Sequence, residues 1–167
     1  MPWDPARYEQ FRDERYAPFA DLCGLIDVRA GLRVIDLGCG TGELTARLAD
    51  LLPESDVVGV DASAEMLAKA GALERPGLRF EQRTIEEVGG AFDLVFSHAA
   101  LQWVDDHDAL IPRLLDLVAP GGQIAVQMPS NHGHASHLLI VETAGEEPFR
   151  TALDGWTRRP PVMSIDA

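Results

Sequence analysis

The segment Val34-Ile35-Asp36-Leu37-Gly38-Cys39-Gly40-Thr41-Gly42 constrains the fold more than any other stretch of this chain. A short apolar run ends near a carboxylate, and three glycines follow at alternate positions. Arg33 to Leu37 reads as a short buried strand. Glu43 to Leu52 reads as an amphipathic helix, with Leu44, Leu48, Leu51 and Leu52 on one side and Pro53 as its stop. Strand, tight turn and helix in immediate succession form the opening of a βαβ unit. Glycine lets the backbone turn sharply and approach a ligand with no Cβ in the way.

The same alternation continues along the chain. Asp4-Pro5 opens a helix, with Asp as N-cap and Pro at the first helical position. Its apolar face is Tyr8, Phe11, Tyr16 and Phe19, and it runs to about Leu25. Asp56 to Val60 reads as a second strand ending in Asp61, and Ser63 caps a helix to about Leu73. Leu78 to Gln82 is a third strand after the Pro76-Gly77 turn, and Phe92 to Ser97 is a fourth. Leu110, Ile111, Leu114, Leu115 and Val118 mark a helix that Pro120-Gly121-Gly122 terminates. Gln123 to Met128 is a fifth strand, and a helix from His134 to about Asp154 breaks near Pro148. Short apolar strands alternating with helices imply an α/β fold, a doubly wound, mainly parallel sheet with helices on both faces. Right-handed crossovers place ligands at the carboxyl ends of such strands. The glycine loop, Asp61 and the segment after Ser97 are therefore expected to converge on one crevice.

Size and charge narrow the function. The 167 residues fit one domain, 1–167. No apolar run reaches the roughly 20 residues of a membrane helix. The start, Met1-Pro2-Trp3-Asp4-Pro5, lacks the basic and apolar regions of a signal peptide, so the expectation is a cytoplasmic protein without membrane contact. A formal charge of −13 repels phosphate backbones and argues against a nucleic-acid partner. A small molecule remains, with a local cluster of donors if it is anionic. Cys23 and Cys39 make no disulfide framework. Cys23 belongs to an apolar helical stretch, and Cys39 fills a loop position that wants a small residue.

Loop spacing selects among cofactors. Dinucleotide folds use G-x-G-x-x-G and lay a pyrophosphate on the helix N-terminus. The G-x-G-x-G found here, preceded by Asp36, suits S-adenosyl-L-methionine, which has no phosphate and carries a sulfonium cation. Asp61 lies at the end of the second strand, about 20 residues beyond the loop, where a carboxylate can accept from both ribose hydroxyls. Met66, one turn into the next helix, is placed to pack on the adenine ring. A bare G-x-G-x-G also occurs in ordinary strand–helix turns. The apolar strand, Asp36 and the Asp61 spacing together carry the cofactor reading.

On these segments the chain resembles the trans-aconitate methyltransferases, within the class I S-adenosylmethionine-dependent enzymes. The resemblance runs from Trp3 to about Pro161. It rests on Trp3-Asp4-Pro5 with Tyr8, on the loop segment, and on Val60-Asp61-Ala62-Ser63. It continues through Asp93-Leu94-Val95-Phe96-Ser97, Leu101-Gln102-Trp103-Val104, and Pro120-Gly121-Gly122 followed by Val126-Gln127-Met128-Pro129. The loop marks the superfamily, and the Leu-Gln-Trp, Val-Gln-Met-Pro and Trp-Asp-Pro segments are more selective. The resemblance implies a Rossmann-like methyltransferase sheet and methyl transfer to a carboxylate of a small tricarboxylic acid. It carries the cofactor role onto Asp36, Gly38, Gly40, Gly42, Asp61, Ala62 and Met66, and sets Ser97-His98-Ala99 over the methionine part. An acidic residue that the family often has after the third strand, bonding the adenine amino group, falls here near Thr84, with Ile85 and Glu86 behind it. The Thr84 hydroxyl and backbone groups are then expected to hold adenine. Family members are longer and continue with two further strands. The fifth strand is thus expected to be an edge, its Ile124, Ala125 and Val126 open to a homodimer.

The chemistry needs few groups. A carboxylate acceptor, with a reference pKa of about 4, is ionised at neutral pH and requires no general base. Holding oxygen, methyl carbon and sulfur in line is a proximity effect. No catalytic residue is assigned; a phenol acceptor would instead call on His98. Substrate-binding candidates are His98, Gln102, Trp103, Met128, Asn131 and His137, with Trp3 and Tyr8 as a lid. Four have a packing alternative: Trp103 as a core residue, His98 as a structural one, Trp3 and Tyr8 as a helix laid on the sheet. His132, His134 and His137 form a cluster that invites zinc. No cysteine or acid accompanies them, so anion contact or a solvated loop is the reading, and no metal is assigned. Glu86-Glu87 and Asp105-Asp106-His107-Asp108 read as solvated faces or helix starts, where the dipole favours acids. Two further functions share every cofactor residue: methyl transfer to another small molecule (an acyl-carrier carboxylate or a quinone precursor), and a non-catalytic S-adenosylmethionine-binding module. A nicotinamide-dependent oxidoreductase has the wrong loop spacing.

Overall fold

The computed structural model describes residues 12–130 and 133–157. Five parallel strands form its sheet: β1 (Arg33–Leu37), β2 (Asp56–Asp61), β3 (Leu78–Gln82), β4 (Phe92–His98) and β5 (Val118–Gln127). Their order is β3-β2-β1-β4-β5. The chain reverses direction across the sheet between β1 and β4, so the switch point lies where the glycine loop leaves β1. The helices are α1 (Arg12–Cys23), α2 (Glu43–Leu51), α3 (Ala64–Ala70), α4 (His107–Asp116), α5 (Ala135–Gly145) and α6 (Phe149–Ala152). Three short 3-10 turns cover Gly71–Leu73, Ile85–Glu87 and Leu101–Trp103.

Alternate residues of each strand enter opposite cores, as the pleat requires. Val34, Val57, Leu94 and Phe96 pack with Phe19 and Leu22 of α1 and Leu48 of α2. Ile35, Val58, Val60 and Val95 pack with Leu110 and Leu114 of α4. Because both faces are covered, β1 and β2 are buried along almost their whole length, which is why they read as continuous apolar runs. Ser63 caps α3 as expected, its Oγ accepting from the Met66 amide at 3.2 Å. Leu51, expected on the apolar side of α2, is 49% exposed.

The expected helix through Val118 is corrected. Helix α4 ends at Asp116, and β5 begins at Val118 and includes Pro120-Gly121-Gly122. The Phe92 amide donates to the Leu117 carbonyl at 2.8 Å, and Val118 pairs with Phe92 before the register shifts to Leu94 opposite Gln123. The Pro-Gly-Gly segment is therefore an irregularity within a strand. Such a segment is tolerated where a strand lies at the sheet edge, and β5 pairs only with β4 among the described residues. The expected break near Pro148 separates α5 from α6. The described part of the first helix stops at Cys23, leaving Leu25 82% exposed. Among the described residues no helix is long and apolar enough to cross a membrane.

Candidate functional site

The loop after β1 is held from three sides. The Gly38 and Cys39 amides both donate to the Val60 carbonyl at 2.9 Å, which fixes the loop to the end of β2. Gly38 has φ +82°, and a Cβ there would collide with the Ala100 methyl. Gly42, at φ +76°, would place a Cβ within 2.7–2.8 Å of Phe80 and Ala70. The glycines thus answer to close packing as well as to backbone conformation.

Asp61 organises the crevice. One carboxylate oxygen accepts from the Gly40 amide at 2.8 Å, and the other from the Ser63 amide at 2.9 Å. Loop and α3 N-terminus are set by the same group. An ionised carboxylate has about four acceptor positions, so capacity remains for a ligand.

Asp36 lies beneath the loop, 4% exposed, and its carboxylate accepts from the Thr45 hydroxyl at 2.6 Å. Burial pushes its pKa up to about 7; the Thr45 bond opposes this and the Asp61 charge adds to it. Asp36 ties β1 to α2 and stands behind the cavity, not on its wall.

At the carboxyl ends of β1 to β4 opens a cavity of about 340 Å³. Gly38 and Gly40 form its loop side, and Asp61, Ala62, Ser63 and Met66 the β2–α3 side. Arg83, Thr84, Ile85 and Glu86 form the β3 side; Ala99, Ala100, Trp103 and Val104 close the β4 side. Of the expected cofactor residues, Gly38, Gly40, Asp61, Ala62, Met66, Thr84 and Ile85 are brought together here. Asp36, Gly42 and Ser97 stand behind the lining; the Ser97 hydroxyl donates to the Leu37 carbonyl at 2.9 Å.

Among the expected substrate residues, Trp103 lines the cavity and is 51% exposed. His98 meets the edge of Phe19, ring centroids 5.8 Å apart, away from the lining. Gln102 donates from Nε2 to the Ala99 carbonyl at 2.7 Å. Met128 packs against the α4-side core, and His137 is exposed on α5. Trp3, Tyr8 and Asn131 lie outside the described residues, as does His132. His134 caps α5 next to Ser136, and no three described side chains gather as metal ligands.

Arg83 was not anticipated; Glu86, expected on a solvated face or at a helix start, lies in the first turn of the Ile85–Glu87 3-10 helix and also lines the cavity. Both follow β3 directly, the position from which a parallel strand delivers side chains to a ligand. Asp106 caps α4 as expected of a helix start, accepting from the Ala109 amide at 3.2 Å. Its neighbour His107 departs from that reading. It is 4% exposed, with Nε2 2.9 Å from the Leu101 carbonyl, and it ties α4 to the turn that carries Trp103.

The wall chemistry suits a nucleoside: a diol acceptor at Asp61, apolar Met66 and Ile85 beside it, and close backbone approach at Gly38 and Gly40. A family model described as a methyltransferase domain matches residues 29–151. A protein of Deinococcus radiodurans named trans-aconitate 2-methyltransferase is 55% identical over 158 residues, covering 95% of this chain and 60% of that protein. One of the same name from Methylobacterium nodulans is 44% identical over 153 residues, covering 90% and 59%. The chain therefore spans about 60% of the length of these relatives. A solved S-adenosylmethionine-dependent methyltransferase from Mesorhizobium loti matches with a TM-score of 0.56 and 31% identity, over 63% of this chain and 50% of that one.

Proposed function

The chain belongs to the methyltransferase domain family, and from that premise we propose that it binds S-adenosylmethionine at the carboxyl ends of β1 to β4 and methylates a carboxylate of a small organic acid of the trans-aconitate kind. The observation that carries the reading is Asp61, oriented by the Gly40 and Ser63 amides on the wall of the cavity. Its free acceptor positions take the ribose hydroxyls. Met66 and Ile85, 5% and 9% exposed, offer apolar surface to the purine. Gly38 and Gly40 admit the amino-acid tail, and Asp36 ties β1 to α2 beneath them through Thr45.

The cofactor supplies a methyl group already activated by its sulfonium. The chain's own task is to orient and to exclude water. Trp103 and Val104 form the β4 wall of the cavity. A carboxylate acceptor arrives ionised, so the lining needs no base. His98, the base that a phenol would require, meets the Phe19 ring edge-on. The names of the two relatives supply the acceptor class. The net charge of −13 favours a small molecule over nucleic acid.

The proposal includes self-association through β5, whose outer edge is unpaired among the described residues. Light scattering then finds a dimer or larger species; a clean monomer ends that part of the reading. The central experiment is calorimetric titration with S-adenosylmethionine, with NAD as control. This is followed by mass spectrometry of trans-aconitate incubated with the loaded chain. Binding of the methyl donor alone and formation of a monomethyl ester are expected. A folded chain that ignores the donor overturns the proposal.

A further inference from the structure

We propose that Gln127, at the carboxyl end of β5, selects an acceptor with more than one carboxylate, its side-chain amide holding a carboxylate that is not methylated. The inference rests on the methyl-transfer reading above and adds which side chain holds the acceptor. The cavity of about 340 Å³ lies at the low end of the roughly 300–1,000 Å³ that enclose one drug-sized ligand, so the cofactor fills it and the acceptor extends beyond the lining. With the ribose on Asp61 and the purine on Met66 and Ile85, the methyl-bearing part faces the β4 side, where Ala99 and Ala100 lie. Strand order puts β5 next to β4 on its outer side. Ala99 joins the two: it lines the cavity, and its amide donates to the Gln127 carbonyl at 2.9 Å. Its φ of +52° is costly for a residue with a Cβ, and such conformations cluster at ligand sites.

Val126 and Met128 pack against the α4-side core, so the pleat turns the Gln127 side chain to the opposite face. His98, its register partner on β4, occupies that face as well, where it meets Phe19 of α1. Among the described residues, Gln127 Oε1 is buried without a hydrogen-bond partner. An unmade hydrogen bond at a buried polar atom costs free energy that a ligand recovers. A carboxamide carries an acceptor and a donor at nearly equivalent places. A half-turn about its last bond sets the Nε2 donors where Oε1 stands, ready for a carboxylate. The neighbouring donors are engaged elsewhere. Gln102 Nε2 donates to the Ala99 carbonyl at 2.7 Å. The Arg83 guanidinium lies across the cavity on the β3 side, 3.0 Å from a Glu81 carboxylate oxygen. In a chain of net charge −13, a polyanionic acceptor depends on a local donor such as Gln127.

The test is calorimetric: trans-aconitate, with three carboxylates, and crotonate, with one, are titrated into the chain saturated with S-adenosylhomocysteine. The parent is expected to bind trans-aconitate about tenfold or more tightly than crotonate. Gln127→Met keeps the length of the side chain and removes its hydrogen bonds. Its affinity for trans-aconitate is expected to fall about tenfold, while crotonate and S-adenosylhomocysteine stay within about twofold. The substitution removes a buried polar atom without a partner among the described residues, so a melting temperature no lower than the parent's is expected. Gln127→Glu sets carboxylate against carboxylate and is expected to lose trans-aconitate by a larger factor. Variants in which all three ligands weaken together, or none does, overturn the role of Gln127 and leave the cofactor reading intact, as does failure of both variants to fold. A parent that binds S-adenosylhomocysteine but not trans-aconitate overturns the acceptor reading and this inference with it.

Discussion

At the scale of single residues, two side chains and a hydrogen atom decide whether the crevice exists. Gly38 faces the Ala100 methyl so closely that Gly38→Ala is expected to abolish S-adenosylmethionine binding in calorimetry and to lower the melting temperature. Ala100→Gly in the same chain relieves the collision but leaves a non-glycine residue at φ +82°, so it is expected to restore stability only in part. Asp61→Ala is expected to weaken cofactor binding by on the order of 1.5–3 kcal/mol, since hydrogen bonds to a charged acceptor are lost. Asp36 makes a prediction about pH. Its folded pKa of about 7 lies above the ordinary value of 3.8, so between those values the folded chain holds more protons than the unfolded one. Stability from this group is therefore greatest at the acid end and falls as pH rises toward 7. Asp36→Asn keeps an acceptor for Thr45 and removes the charge. Thermal melts should show it more stable than the parent at pH 8, by a few kcal/mol at most, with the two curves converging toward about pH 4.

At the scale of elements, the site depends on turns that follow strands. The Leu101–Trp103 turn carries the β4 wall, and buried His107 on α4 anchors it through the Leu101 carbonyl. His107→Ala leaves that carbonyl without its partner and opens a void. Urea unfolding should register a loss of about 2–4 kcal/mol. Much of this layer was legible beforehand. The strand–loop–helix at Arg33 to Leu52, the Asp61 strand end and the Ser63 cap all follow from local pattern and spacing. The end of α4 did not. Leu114, Leu115 and Val118 keep a helical spacing, yet Val118 pairs with Phe92, a partner distant in the chain that local spacing does not reveal. His107 was hidden for a similar reason: a histidine between aspartates looks solvated until the preceding turn folds over it.

At the scale of the molecule, one sheet separates two cores and collects the cavity-lining residues at a single end. Each core takes alternate strand residues, so a polar group placed in β1 or β2 is felt on one face alone. Val58→Asp is expected to loosen the α4 side, whereas Val57→Asp disturbs the α1 and α2 side. Hydrogen exchange of α4 and α2 amides separates the two outcomes. The α5–α6 arm stands apart from both cores. Leu138, Leu139 and Ile140 are 56%, 58% and 66% exposed. A helix apolar on all sides ordinarily has neighbours on all sides. Among the described residues the outer edge of β5 is likewise unpaired.

The sequence by itself determined the fold class, the position of the glycine loop and the placing of Asp61 at a strand end, because these depend on short-range spacing: apolar runs of strand length, glycines at alternate positions, a carboxylate at a strand end. Tertiary structure decided which of the candidate side chains share a wall. It drew Asp36, Gly42 and Ser97 behind the lining, turned His98 toward Phe19, and brought Arg83 and Glu86 to the cavity. Those outcomes depend on strand order and pleat, β3 beside β2 and β4 beside β1, which set residues distant in the chain side by side and give each side chain its face.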